Sequence, residues 1–113
     1  MKFCSLYSGS SGNSIFIASD NAKVLIDAGL AGKKIDDALK HIGEESSSID
    51  GIFITHEHID HIKGVGVLSR KYDIPIYAND NTWAVMEKNI GKIKEHNIRI
   101  RPHSKHINIV ITF

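Results

Sequence analysis

Residues 55–61 read Thr-His-Glu-His-Ile-Asp-His, so three histidines and one aspartate fall within the six positions from His56 to His61. Neutral imidazole and carboxylate are ligands suited to Zn²⁺ and related divalent ions. On extended backbone the side chains at i and i+2 point the same way, so His56 and His58 can grip one ion together. A turn after them would swing Asp60 and His61 towards a second. A single ion cannot use every neighbour in so short a run. His56, His58, Asp60 and His61 are therefore expected to serve more than one metal, in part of a metal-dependent hydrolase. The plainer alternative is a polar loop whose histidines only cap the next helix. Four ligand-type side chains outweigh it.

Asp27 closes the apolar run Lys23-Val-Leu-Ile and is followed by Ala28-Gly29. Alone it would read as a strand-end turn. Beside a metal motif it is expected to accept a hydrogen bond from a ligand histidine and fix its orientation. The loop Gly9-Ser10-Ser11-Gly12-Asn13 could present backbone N–H groups to a phosphate, as glycine-rich nests do. A plain hairpin turn explains it equally well. Glu57 is expected to point away from the ligands, and His41, His96, His103 and His106 to be solvated. Trp83 and Met86 read as helix packing, and Cys4 as a small core residue.

These groups need elements to position them. Residues 2–7, 14–18 and 23–27 read as strands of an antiparallel meander joined by turn-forming Ser, Gly, Asn and Asp. In residues 32–42 the period changes: Ile35, Ala38, Leu39 and Ile42 form the stripe of an amphipathic helix, with Gly43 as its stop. Residues 51–55 form a buried strand that delivers the histidine cluster, and a helix is expected from Asp60 to Lys71. Another strand covers 74–78, and Asp80 or Asn81 caps a helix running to Ile90 before Gly91. Lys92–His106 is basic, and Ile107–Phe113 is a β-prone apolar run. Strands alternating with helices predict an α/β or α+β layered fold, with a mixed sheet and its helices on one face.

At 113 residues the chain fits one small domain, and 42% apolar with 24% charged residues is ordinary for a folded protein. A net charge of +1 lacks the strongly basic signature of a dedicated nucleic-acid binder. It leaves nucleic acid open, because bound metal carries positive charge of its own. No run approaches the roughly 18 apolar residues of a membrane span, and no signal peptide is legible at the N-terminus. The single Cys4 cannot form an internal disulfide, which fits a reducing cytoplasm.

The segment Thr55–His61, with Asp27-Ala-Gly after a strand, resembles the signature of the metallo-β-lactamase-fold hydrolases. Ser8-Gly-Ser-Ser-Gly-Asn13, Asp27-Ala-Gly-Leu30, Gly32-Lys33, His56 to Gly64 and Tyr77-Ala-Asn79 are similar, more narrowly, to the WalJ (YycJ-type) subgroup, over roughly residues 1–95. The resemblance implies an αββα sandwich of two similar halves with a dinuclear site along one edge. His56 and His58 would bind the first metal and Asp60 and His61 the second, the latter two serving also as catalytic groups. Asp27 would support them. It further implies two zinc or manganese ions that supply a hydroxide nucleophile, and 5′→3′ exonuclease or phosphodiesterase action on DNA. Lactamases proper commonly carry a non-ligand residue at the position of His61, so β-lactam hydrolysis becomes a minor expectation.

Members of that family also carry later histidines and a bridging aspartate that have no counterpart before Phe113. The chain is thus expected to be the N-terminal half of the fold, as from a truncated frame or an incomplete gene model. Each metal would then hold two protein donors, short of the three typical of a catalytic zinc site. A half-sandwich would expose a sheet face, inviting self-association. Two other functions compete: a thioesterase of the glyoxalase II type, and a non-catalytic fragment that binds metal weakly.

Overall fold

The computed structural model describes residues 1–9 and 12–101. Six strands form one mixed sheet in sequence order: β1 (Lys2–Tyr7), β2 (Ser14–Ala18), β3 (Lys23–Ile26), β4 (Gly51–Phe53), β5 (Ile76–Asn79) and β6 (Ile98–Arg101). The first three pair antiparallel, as the short polar turns between them demand. From β3 onward the pairing is parallel. The connections there carry the helices α1 (Gly32–His41), α2 (Ile59–Ile62), α3 (Val65–Tyr72) and α4 (Asp80–Met86). The expected mixed sheet with helices is present.

Register sorts the side chains into two faces. Phe16, Leu25, Ile52 and Ile76 stand opposite one another across β2 to β5 and are wholly buried. They meet Ile35 and Leu39 of α1, Ile62 of α2, Leu68 of α3 and Met86 of α4 in a single core. Burying each such side chain contributes about 1.5–3 kcal/mol. The next register, Ile15, Ile26, Phe53 and Tyr77, lies on the opposite face and is only half-buried. Phe53 stacks on Tyr77 there with ring centroids 4.6 Å apart. Parallel sheets ordinarily have both faces covered; this one leaves an apolar face partly open.

Several expected boundaries shift, for identifiable reasons. The helix expected over 60–71 is two helices, α2 and α3, broken at Lys63-Gly64. Gly64 N–H donates to Ala28 O at 2.8 Å, and a Cβ at Gly64 would collide with Leu30 O, so the break seats the chain against residues 28–30. The N-cap of α4 is Asn79, whose Oδ1 accepts from Thr82 N–H at 2.7 Å, in place of Asp80 or Asn81. That helix ends at Met86, short of Ile90. Within the stretch read only as basic, Ile98–Arg101 adds a sixth strand, exposed on both faces. Trp83 and Met86 are buried as expected, and Trp83 Nε1–H donates to Arg99 O at 3.0 Å. Ser10, Ser11, His103, His106 and the run Ile107–Phe113 lie outside the described residues.

Candidate metal centre

The candidate residues gather at the carboxyl ends of β3 and β4, where open parallel sheets place their ligand sites. β3 ends at Ile26, and Asp27 turns into the left-handed region at φ 63°, a conformation aspartate tolerates better than most residues. Its N–H still bonds to Phe53 O at 2.8 Å, continuing the ladder. The carboxylate then takes over from the backbone: Thr55 N–H donates to Asp27 Oδ1 at 2.8 Å. Thr55 Oγ1 lies 2.6 Å from Asp27 Oδ2, and His61 Nδ1 lies 2.7 Å from the same oxygen. Asp27 is thus a buried carboxylate satisfied from two segments, its side chain only 7% exposed.

A backbone clamp holds the segments together. Asn13 N–H donates to Asp60 O at 2.8 Å, Gly29 N–H to Asn13 O at 2.9 Å, and Ala28 N–H to His61 O at 2.9 Å. So close an approach leaves no room for a side chain at Gly29, where a Cβ would strike the Asp60 carbonyl. Asn13 adds its amide, with Nδ2 3.3 Å from Asp60 Oδ2 and 3.4 Å from His61 Nε2. The N–H groups of Gly9, Gly12 and Asn13 all find acceptors inside the chain: Asn13 Oδ1, Gly9 O and Asp60 O respectively.

The three imidazoles cluster. Ring centroids of His56 and His61 are 3.7 Å apart, and those of His56 and His58 are 4.9 Å apart. His61 Nε2 lies 3.6 Å from Asp60 Oδ2. Two ligands of one tetrahedral zinc, with bonds of ~2.0–2.1 Å, stand about 3.3 Å apart, so this pair is spaced to share an ion after a small adjustment. Among the described residues, however, no group of three or more His, Cys, Asp or Glu side chains converges on one point. The donor chemistry suits a divalent ion, and the number of donors gathered at one point falls short of a closed site.

His41 and His96 are exposed, and His96 pairs instead with Asp73, Nε2 to Oδ1 at 2.8 Å. Two contributors had no assigned role in the sequence: the Thr55 hydroxyl and the Asn13 amide. Thr55 adjoins the motif and Asn13 sits in the glycine-rich turn. Neither position reveals its partner, because the contacts run to residues 28 and 47 positions away.

Residues 7–111 match the family model described as the metallo-beta-lactamase superfamily. The match runs beyond residue 95, the limit of the motif similarity. The chain is 50% identical over 93 residues to exodeoxyribonuclease YycJ of Bacillus anthracis, covering 82% of this chain and 35% of that protein. It is 52% identical over 94 residues to exodeoxyribonuclease WalJ of Streptococcus pneumoniae serotype 2, covering 81% and 35%. The chain thus spans about a third of the length of these curated relatives. Among solved structures it resembles a metallo-β-lactamase of Cronobacter sakazakii, with TM-score 0.66 and 21% identity over 74% of this chain and 34% of the other. At that identity the likeness bears on the fold alone.

Proposed function

Because the chain belongs to the metallo-β-lactamase superfamily, we propose that His56, His58, Asp60 and His61 are ligands of a two-metal phosphodiesterase site that acts on DNA, in the manner of a 5′→3′ exonuclease. The observation that carries the proposal is the joint one of ligand-type side chains clustered at the strand ends and identity of about 50% to two exodeoxyribonucleases. Members of the superfamily bind divalent metal ions; the pair, zinc or manganese, is our assignment. Since the chain spans about a third of those relatives, activity, substrate and partners are proposed for a protein of their length. We place 1–113 as one partial domain of the αββα sandwich, in the cytoplasm. Among the described residues no helix is long and apolar enough to cross a membrane.

Under this reading His56 and His58 hold the first ion, and Asp60 and His61 hold the second and stand next to the reacting phosphate. Bound there, the ions supply Lewis acidity and a water acidic enough to act as nucleophile near neutral pH. Asp27 keeps the His61 ring in place by accepting from Nδ1, and Asn13 keeps Asp60 in place through the clamp. The Gly9–Asn13 turn enters as part of that clamp through Asn13; we keep it as the candidate phosphate loop. Among the described residues no three such donors converge on one point, and the assignment is limited to these four. The half-open face of Ile15, Ile17, Ile26, Phe53 and Tyr77 is where a second sheet, or a second copy of this chain, packs.

The decisive assay is release of nucleotides from end-labelled linear DNA by protein of the relatives' length, with Mn²⁺ or Zn²⁺ supplied. Metal-dependent hydrolysis that disappears in His58→Ala is expected. Unchanged turnover in that variant would reject the assignment.

A further inference from the structure

The hydrogen bonds around Asp27 carry more than support for one histidine. Thr55 Oγ1 touches two groups: Asp27 Oδ2 at 2.6 Å and His56 Nδ1 at 3.1 Å. A hydroxyl has one proton to donate, and an ionised carboxylate has none. If Thr55 gave its proton to His56, its oxygen and Asp27 Oδ2 would face each other as two bare acceptors. Two acceptor oxygens held 2.6 Å apart with no proton between them repel each other. The proton of Thr55 therefore points at Asp27, and the contact with His56 exists only if His56 Nδ1 carries a hydrogen and donates it. The same logic applies at His61, whose Nδ1 faces Asp27 Oδ2 at 2.7 Å. The order is His56 Nδ1–H to Thr55 Oγ1–H to the Asp27 carboxylate, which also receives His61 Nδ1–H.

We propose that Thr55 is a positioning residue that extends the reach of Asp27, so that one carboxylate sets the tautomer of both His56 and His61 and turns both Nε2 lone pairs towards the metals. The proposal deepens the metal-binding reading above and rests on it. It couples two ligands assigned to different ions through one buried group. Nδ1–H donation of this kind fixes the orientation of a ligating ring, and loss of such partners typically weakens metal binding about 10–100-fold. The backbone already supports the placement: Thr55 N–H is bound to Asp27 Oδ1 at 2.8 Å, so the hydroxyl is delivered to Oδ2 by the main chain.

The test uses ring ¹⁵N shifts of histidine, read by long-range ¹H–¹⁵N correlation on the 113-residue chain without metal, at about pH 8, where unperturbed histidine is neutral. Wild type should show the Nδ1–H tautomer at His56 and His61. Thr55→Val, which keeps the shape and loses the hydroxyl, should shift His56 alone towards Nε2–H, and Thr55→Ser should restore it. A wild-type His56 already in the Nε2–H form overturns the proposal, even if Thr55→Val fails to fold. So does a folded Thr55→Val with His56 unmoved. Zn²⁺ titration of the same substitutions in protein of the relatives' length adds a second readout: Thr55→Val should bind about 10–100-fold more weakly, and equal affinity counts against the relay. A wild type of that length that takes up no zinc sinks the metal reading and with it the purpose given to Thr55. Zinc uptake with the wrong tautomers sinks only the relay.

Discussion

His61 Nδ1 lies 2.7 Å from Asp27 Oδ2, joining residues 34 positions apart in the chain. One comes from the end of β3 and the other from α2, so the contact ties the sheet to the helix that carries two of the four candidate ligands. Asp27 accepts three hydrogen bonds at once. It therefore serves both stability and site geometry, and the two can be measured separately.

Replacing Asp27 should destabilise the fold in graded fashion. A hydrogen bond to a charged group contributes about 1.5–3 kcal/mol, without simple additivity. Asp27→Ala also loses the better tolerance of aspartate for the left-handed region at φ 63°, a smaller addition. Asp27→Asn tolerates that conformation and keeps one acceptor. Urea unfolding should rank wild type above Asp27→Asn above Asp27→Ala, with the last lower by about 3 kcal/mol or more. Equal midpoints for the two variants would contradict the geometry.

Gly29→Ala should be costly although it adds one methyl group. That methyl meets the Asp60 carbonyl and crowds Asn13 N at 2.7 Å, both of them backbone. Overpacking of this kind costs about 1–3 kcal/mol. Because the displaced segment carries Asp60, the variant should lose Zn²⁺ affinity beyond what its lowered stability explains. Calorimetric titration well below its melting temperature separates the two effects.

Asn79 is the residue that starts α4. Its side chain accepts from Thr82 N–H at 2.7 Å, and losing such a cap costs about 1 kcal/mol. Asn79→Ala should lower the urea midpoint accordingly, whereas Asn79→Asp or Asn79→Ser should hold it within a few tenths of a kcal/mol. A silent Asn79→Ala would place the helix start elsewhere.

Two carboxylates set an acid limb. The hydrogen bond from Lys23 lowers the pKa of Glu44, with Lys2 adding to it and burial opposing. The hydrogen bond from His96 lowers that of Asp73, followed by the one from Asn97. In both cases the folded value lies below the unfolded one. Their stabilisation is therefore present above the ordinary carboxylate values, 4.5 and 3.8, and is lost as pH falls through the lower folded values. Unfolding midpoints measured from pH 5 downward should decline, and Glu44→Gln should decline less steeply than wild type. An identical slope in that variant would remove Glu44 from the account.

The sequence by itself determined the periodicities and the chemistry. Alternating strands and helices, the apolar runs of β2 and β3, the stripe of Ile35 and Leu39, and four ligand-type side chains after β4 were all readable, because each is a property of neighbours along the chain. β6 was not legible because Ile-Arg-Ile-Arg, exposed throughout, becomes a strand through partners distant in the chain: it pairs with β5, about twenty residues away, and Arg99 O accepts from Trp83. The break between α2 and α3 was likewise set by Ala28 and Leu30, against which Gly64 is pressed. Most of all, tertiary structure decided the wiring of the site. Asp27, Thr55 and His61 meet only once β3 and β4 lie parallel and in register, since hydrogen bonds are satisfied between groups adjacent in space, whatever their separation along the chain.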